Sequence, residues 1–221
     1  MGRRSQHKPD ELRDLIINAA YRIVADNGVA LLSAREIARV IGYAPGTLYN
    51  MYENLDEILL RVEVRMLEQL DAQLAHDMKG TSGAEAVRRF AAGYVRFAHK
   101  QPRLWSLLTE HSLPPGTVPP AWYREAIETP IARLEKPVAT VLRSTDTKAV
   151  RQAARGLWFT IQSMTSMSVS AKLAWSNDDA ADSQIIDVAD AYLAYLKQLT
   201  VRPAKRLAEA HGLKEATAAS R

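Results

Sequence analysis

Ser33-Ala-Arg-Glu-Ile-Ala-Arg-Val-Ile-Gly42-Tyr-Ala-Pro-Gly-Thr-Leu-Tyr-Asn-Met-Tyr52 is the stretch that decides the fold. Ser33 followed by Glu36 has the spacing of a capping box, in which serine caps a free N–H three residues on and the glutamate reaches back. Ile37, Ala38 and Ile41 then recur at helical spacing and make one apolar face. Gly42 stops this helix, because glycine enters the left-handed region without a side-chain clash. Pro45 suits the first turn of a second helix, where its missing N–H is not needed. Thr47, Leu48, Tyr49 and Tyr52 follow. A short helix, a glycine turn and a second short helix form the helix-turn-helix pattern, whose second helix enters the major groove of DNA. A plain helical hairpin is the competing reading. Thr47, Tyr49, Asn50 and Tyr52 weigh against it, since a merely structural helix of this length more often shows charged residues to solvent.

Outward from this stretch, every segment with a clear period reads as helix. Residues 10–27 carry Leu12, Leu15, Ile16, Ala19, Ala20, Ile23 and Val24 as an apolar stripe, with Asp10 and Glu11 at the positive end of the helix dipole. Asn54 and Glu57 repeat the capping signature and start a long helix to about residue 78. Lys79-Gly80-Thr81-Ser82-Gly83 is a break, and Ser82 with Glu85 caps a helix to about Lys100. Pro102 opens a short helix to about His111, and prolines make residues 113–120 a rigid loop. A helix from Ala121 is expected to be bent or interrupted near Pro130, and Pro137 could bend it again. Long helices are predicted over 146–174 and 178–199, and a poorly ordered tail from 201. No period-two run stands out. The fold class is therefore all-α: a helix-turn-helix unit over 1–60 with a basic N-terminal arm, a larger helical unit over 61–200 and a tail over 201–221.

Composition narrows the function. The 221 residues carry a net charge of +4, are 47% hydrophobic and contain no cysteine, which excludes disulfides, thiolate metal sites and a cysteine nucleophile. No apolar run approaches the roughly 18 residues of a membrane span. The basic start, Met-Gly-Arg-Arg-Ser-Gln-His-Lys, has no apolar segment behind it, so a cytoplasmic location is expected. Arg3, Arg4 and Lys8 could contact phosphates or enter a minor groove. No metal-spaced histidine cluster or glycine-rich phosphate loop is visible, so neither an enzyme nor a cofactor is expected. Asp178, Asp179 and Asp182 read better as helix caps than as cation ligands.

With these residues in view, the N-terminal part resembles the DNA-binding domain of the TetR (tetracycline repressor) family of bacterial transcriptional regulators. The likeness runs through Ile17-Asn18-Ala19-Ala20, Gly28, Ser33 to Ala38, Gly42 to Tyr49, Tyr52 and Asp56 to Leu59 with preserved spacing. It implies a homodimer, a near-palindromic double-stranded operator and repression relieved by a small-molecule effector. It also implies DNA contacts from Ser33, Ala34 and Arg35, and from Ala44, Pro45, Thr47, Tyr49 and Asn50. Chemically, Arg35 could pair bidentately with guanine or clamp a phosphate. Thr47 and Tyr49 can donate hydroxyls to phosphate oxygens, and Asn50 faces either a base edge or solvent. The family often has a lysine at the start of the fourth helix; this chain has Leu55, and the helix N-terminus itself could stand in for it.

The second half is similar, more loosely, to a C-terminal domain type named for a Trp-His-Gly motif. The features are Phe97 to Leu108, Glu110-His111, Trp122-Tyr123 and Gly156-Leu157-Trp158; Gln162-Ser163 stands where that type has His-Gly. The resemblance implies a ligand cavity and a dimer interface in this half. Tyr94, Phe97, Trp105, His111, Trp122, Trp158, Gln162 and Met167 are the pocket candidates, since pockets are apolar and aromatic with a few polar groups. Any one of these large side chains could equally be core. The last two long helices, with Ala171, Ala174, Ala189, Ala191 and Ala194, are the candidate two-fold interface. The expected function is a DNA-binding regulator, a repressor released by a largely apolar or aromatic ligand. The alternative is a ligand-binding helical dimer that does not bind DNA.

Overall fold

The computed structural model describes residues 7–170 and 180–201. Arg3, Arg4, Ala171, Ala174, Asp178, Asp179 and the tail after 201 lie outside them, as does the expected extension of the 146–174 helix past residue 170.

The helices are α1 (Pro9–Asn27), α2 (Ala34–Ile41), α3 (Leu55–Asp77), α4 (Gly83–Lys100), α5 (Pro102–Trp105), α6 (Leu107–Glu110), α7 (Ala121–Ala132), α8 (Glu135–Leu142), α9 (Thr147–Ser168) and α10 (Ala180–Val201). Among the described residues there is no strand, and no helix is long and apolar enough to cross a membrane. Between α2 and α3 the chain forms a 3-10 helix, Pro45–Asn50. That differs from the expected α-helix. Its closing bonds run three residues back, from Thr47 N–H to the Ala44 carbonyl at 2.9 Å and from Met51 N–H to the Leu48 carbonyl at 3.0 Å. The Leu48 carbonyl also accepts from Tyr52 N–H at 2.9 Å, four residues on, so the α spacing enters only where the short helix ends.

The helix ends show how much the capping signatures decide. Gly42 adopts φ 74° and ψ 30°, and stops α2 as its residue type predicts. Ser33 Oγ accepts from Glu36 N–H at 3.1 Å, but the Glu36 carboxylate turns to Arg39 at 2.6 Å, so only half of the box closes. Asn54 Oδ1 accepts from Glu57 N–H at 2.8 Å, while Glu57 reaches back one residue further, to Glu53 N–H at 2.8 Å. Ser82 stands at the N-cap of α4 without a side-chain cap, and Glu85 pairs with Arg89 at 2.9 Å and Arg88 at 3.5 Å instead of reaching back. An i,i+4 charge pair competes well with a reciprocal cap at an exposed helix start.

One hydrophobic core runs from α1 to α10. Ile16, Ala20 and Val24 of α1 and Ile37 of α2 are fully buried, and Leu48 anchors the 3-10 helix at 0% exposure. Tyr52, 5% exposed, donates its hydroxyl to the Arg13 carbonyl at 3.1 Å and ties the end of this unit to α1. α3 is continuous across residue 60. It leaves α1, then packs on α4 and α7 through Met66, Leu70 and Leu74. α7 runs through Pro130 and ends two residues later at Ala132, so the helix from Ala121 is interrupted near that proline; α8 starts afresh and holds Pro137 in its first turn.

Candidate nucleic-acid interface and two interior clusters

The residues expected to meet DNA occupy two short helices that pack on each other. Ser33 is the N-cap of α2, followed by half-buried Ala34 and exposed Arg35. On the 3-10 helix, Ala44, Pro45 and Asn50 are exposed, Tyr49 is 54% exposed and Thr47 is half-buried. Leu48 alone among them is driven inward, so its neighbours in the tight helix are turned out. The Glu36 carboxylate is held below its usual range by the Arg39 hydrogen bond, which leaves Arg35 as the exposed positive group at the start of α2. Leu55 opens α3 half-buried against the core, and Asn54 already occupies the Glu57 N–H. His7 meets the Tyr43 hydroxyl at 2.7 Å, so the residue two before α1 is held beside the glycine turn.

The pocket candidates divide into separate groups. Tyr94, Trp105, Trp158 and Gln162 come together in one hydrogen-bonded ladder between α4, α5 and α9. Trp158 Nε1 donates to the Tyr94 hydroxyl oxygen at 2.9 Å, and that hydroxyl donates to Gln162 Oε1 at 2.6 Å. Gln162 Nε2 donates to Ser166 Oγ at 3.1 Å, which also accepts from Trp105 Nε1 at 3.3 Å. Tyr94 and Trp105 are each 1% exposed, and burial holds the tyrosine hydroxyl far above its ordinary value. Phe97 is buried edge-on to Trp105 at 6.5 Å. The hydroxyl of Thr165 on the same helix is buried without a hydrogen-bond partner.

Met167 does not join this ladder. It is 60% exposed and shares an outer stripe of α9 with Phe159, also 60% exposed. Residues 159, 163 and 167 are all exposed and stand at steps of four, which makes them neighbours on one outer face of the helix. His111 and Trp122 belong elsewhere again. Half-buried Trp122 lines a cleft of about 780 Å³ with Arg13, Tyr52, Arg61, Arg65 and Glu68, between α1, α3 and α7. The Arg61 guanidinium lies 4.5 Å from the centre of the Trp122 ring and 5.7 Å from that of Tyr52.

His111 meets a residue that sequence reasoning passed over. Glu63 lies in the inward stripe of α3 at 2% exposure. One of its oxygens pairs with His111 Nδ1 at 2.7 Å, and the other accepts the Tyr123 hydroxyl. The ring's Nε2 faces Asp56 Oδ1 at 3.3 Å. A signal was present: a glutamate between Leu59 and Met66 at core spacing needs a partner. The partner's identity was not legible, because His111 and Tyr123 are 48 and 60 residues away.

Two family models match. Residues 16–62 match that of bacterial regulatory proteins of the tetR family, and residues 87–197 match the tetracyclin repressor-like C-terminal domain. Among solved structures, a protein of unknown function from Rhodococcus sp. RHA1 is similar at 17% identity and a TM-score of 0.66, covering 89% of this chain and 100% of that one. The transcriptional regulator FadR from Bacillus subtilis, in complex with stearoyl-CoA, is similar at 18% identity and a TM-score of 0.59, covering 83% and 96%. A TetR-like transcriptional regulator from Rhodococcus sp. RHA1 is 21% identical with a TM-score of 0.56, covering 85% and 99%.

Proposed function

The chain belongs to the TetR family of bacterial transcriptional regulators, and from that premise we propose that it binds a near-palindromic operator as a homodimer and is released by a small, largely apolar or aromatic ligand. The observation that carries this reading is the division of the 3-10 helix: Leu48 at 0% exposure holds it down, while Tyr49 at 54% and its exposed neighbours Pro45 and Asn50 face outward. Arg35 supplies the charge-assisted contact, and hydroxyls of Ser33, Thr47 and Tyr49 supply phosphate contacts that set register. Arg3 and Arg4 of the arm add phosphate or minor-groove contacts.

The helical half supports the ligand part. Tyr94, Trp105, Trp158 and Gln162 converge there as a buried hydrogen-bonded ladder with Phe97 beside them, and Trp122 lines the open cleft, so aromatic rings with a few polar groups are at hand. The outer faces of α9 and α10 support the dimer. Phe159, Met167, Val188 and Tyr195 are exposed there, and a second copy would cover them. Repression is the direction that we propose. Ligand would act by preferring one pose of α3 over another, since only such a difference in affinity moves the equilibrium.

The test is selection from a randomised DNA pool by the full-length protein at near-physiological salt. The expected product is a palindrome with half-sites about one helical turn, roughly 34–36 Å, apart. Weak, sequence-blind binding that vanishes with salt would instead favour the helical dimer that does not read DNA. Mass spectrometry of the denatured protein then asks whether a co-purified ligand had switched it off.

A further inference from the structure

α3 carries a carboxylate where its inward stripe calls for hydrocarbon. Burying a lone charge costs several kcal/mol, roughly, so Glu63 at 2% exposure is retained only with partners for both oxygens. His111 takes one at 2.7 Å, and the Tyr123 hydroxyl takes the other. His111 is itself enclosed, with its side chain 7% exposed, and its second nitrogen faces Asp56 at 3.3 Å. Both ring nitrogens therefore look at carboxylate oxygens, which only accept. A neutral imidazole has a single N–H and would present a lone pair to one of them. The geometry calls for the doubly protonated ring.

The cluster's location gives it a consequence. Asp56 lies in the first turn of α3, directly after the helix-turn-helix, and Glu63 lies about two turns further on. His111 is the residue that ends α6 and begins the segment leading to α7. We propose that His111 is a proton-operated latch. With its proton it holds the end of α6 and the following segment against the first turns of α3; without it, that segment is released from the helix that carries the DNA-reading unit.

The groups facing the ring are Glu63 and Asp56 from α3, with Tyr123 of α7 acting through Glu63. Glu57, next to Asp56, is turned away to Arg61 at 3.0 Å and to Glu53 N–H. Glu110 on the histidine's own segment is exposed. The Glu63 hydrogen bond raises the pKa of His111, burial opposes it, and the charges of Glu63 and Asp56 reinforce it. A raised value in the folded state means that the latch contributes in full below the ordinary histidine value of 6.5. The contribution is lost as pH climbs through the raised value.

The first experiment follows the histidine ring resonances of the full-length protein with pH, using His111→Gln to assign the latch. His111 is expected to titrate above 6.5 and the midpoint to fall in Asp56→Asn, a change at a half-exposed position that the fold tolerates. Thermal unfolding is the second readout: His111→Gln should cost more stability at pH 6 than at pH 8. A His111 midpoint at or below 6.5, or identical pH profiles of unfolding in the two proteins, overturns the latch. The third readout rests on the DNA-binding reading. Affinity for a selected operator should change by about threefold or more between pH 6 and pH 8 in the parent chain, half a unit of linkage, and stay flat in His111→Gln. Equal pH dependence in both proteins would overturn the coupling to DNA. Failure to bind any DNA, with the first two readouts intact, would count against the operator reading and leave the latch standing.

Discussion

Leu48 and Tyr49 are neighbours with opposite surroundings, and under the proposed function the pair separates folding from DNA contact. Leu48 is fully buried, so Leu48→Ala leaves a cavity and should cost about 2–5 kcal/mol in chemical denaturation. Tyr49 is 54% exposed and lies outside the buried core. Tyr49→Ala should leave the melting temperature unchanged and weaken operator binding by roughly tenfold, the loss of about 1.4 kcal/mol of phosphate contact. Equal operator affinity in that variant, measured by fluorescence anisotropy, would remove Tyr49 from the interface. Tyr94 shows the opposite side of residue-level reasoning. An aromatic in a helical stripe was expected either in a pocket or in the core. Its placement at 1% exposure, accepting from Trp158 and donating to Gln162, makes it the joint of a polar ladder. Neither partner could be named from the chain, since they lie 64 and 68 residues away.

Among elements, α9 and α10 meet closely at Gly156. A Cβ there would stand 2.3 Å from the Tyr192 hydroxyl oxygen and 3.2 Å from the ring carbon that bears it. Alanine in place of glycine gains up to about 1 kcal/mol in helix propensity. Overpacking costs typically about 1–3 kcal/mol, so the clash wins and Gly156→Ala should be destabilising. Tyr192→Phe removes the atom in closest conflict. The double variant should therefore be more stable than the sum of the singles predicts, and strict additivity in a denaturation cycle would discard this contact. The element boundaries were legible wherever a local device sets them. Gly42, Asn54 and Pro102 each act within a turn of their own position. Ser82 takes the N-cap position without a side-chain cap, and the Glu85 half of the pattern is lost to Arg88 and Arg89, a competition that the capping pattern does not include.

At the scale of the molecule, the exposed stripes of α9 and α10 set a prediction about assembly. Phe159 is 60% exposed and Tyr195 50%, and a second copy packed on these faces would cover both. Sedimentation should find a dimer at micromolar concentration, and Phe159→Asp with Tyr195→Asp should give a folded monomer whose operator affinity collapses. A dimer unaffected by both substitutions would place the interface elsewhere. Ala189 was expected in that interface; it is 0% exposed within the protomer and instead lets α10 approach its own core, whereas Ala191 and Ala194 are exposed.

The chain by itself determined its helical class, most of its helix starts and stops, and a short helix between Gly42 and Tyr52 though not its 3-10 form, because periodicity, caps and turns act over a few residues. Its likeness to one family rested on the same local patterns. The tertiary structure decided which buried groups meet. Glu63 needed a partner, and only the packing of α6 and α7 onto α3 brought His111 and Tyr123 to it. Met167 and Gln162 are five residues apart on one helix, yet packing turned one outward and the other into the ladder. Hydrogen bonds and ion pairs form across space, and their partners are set by how helices dock, which no local spacing encodes.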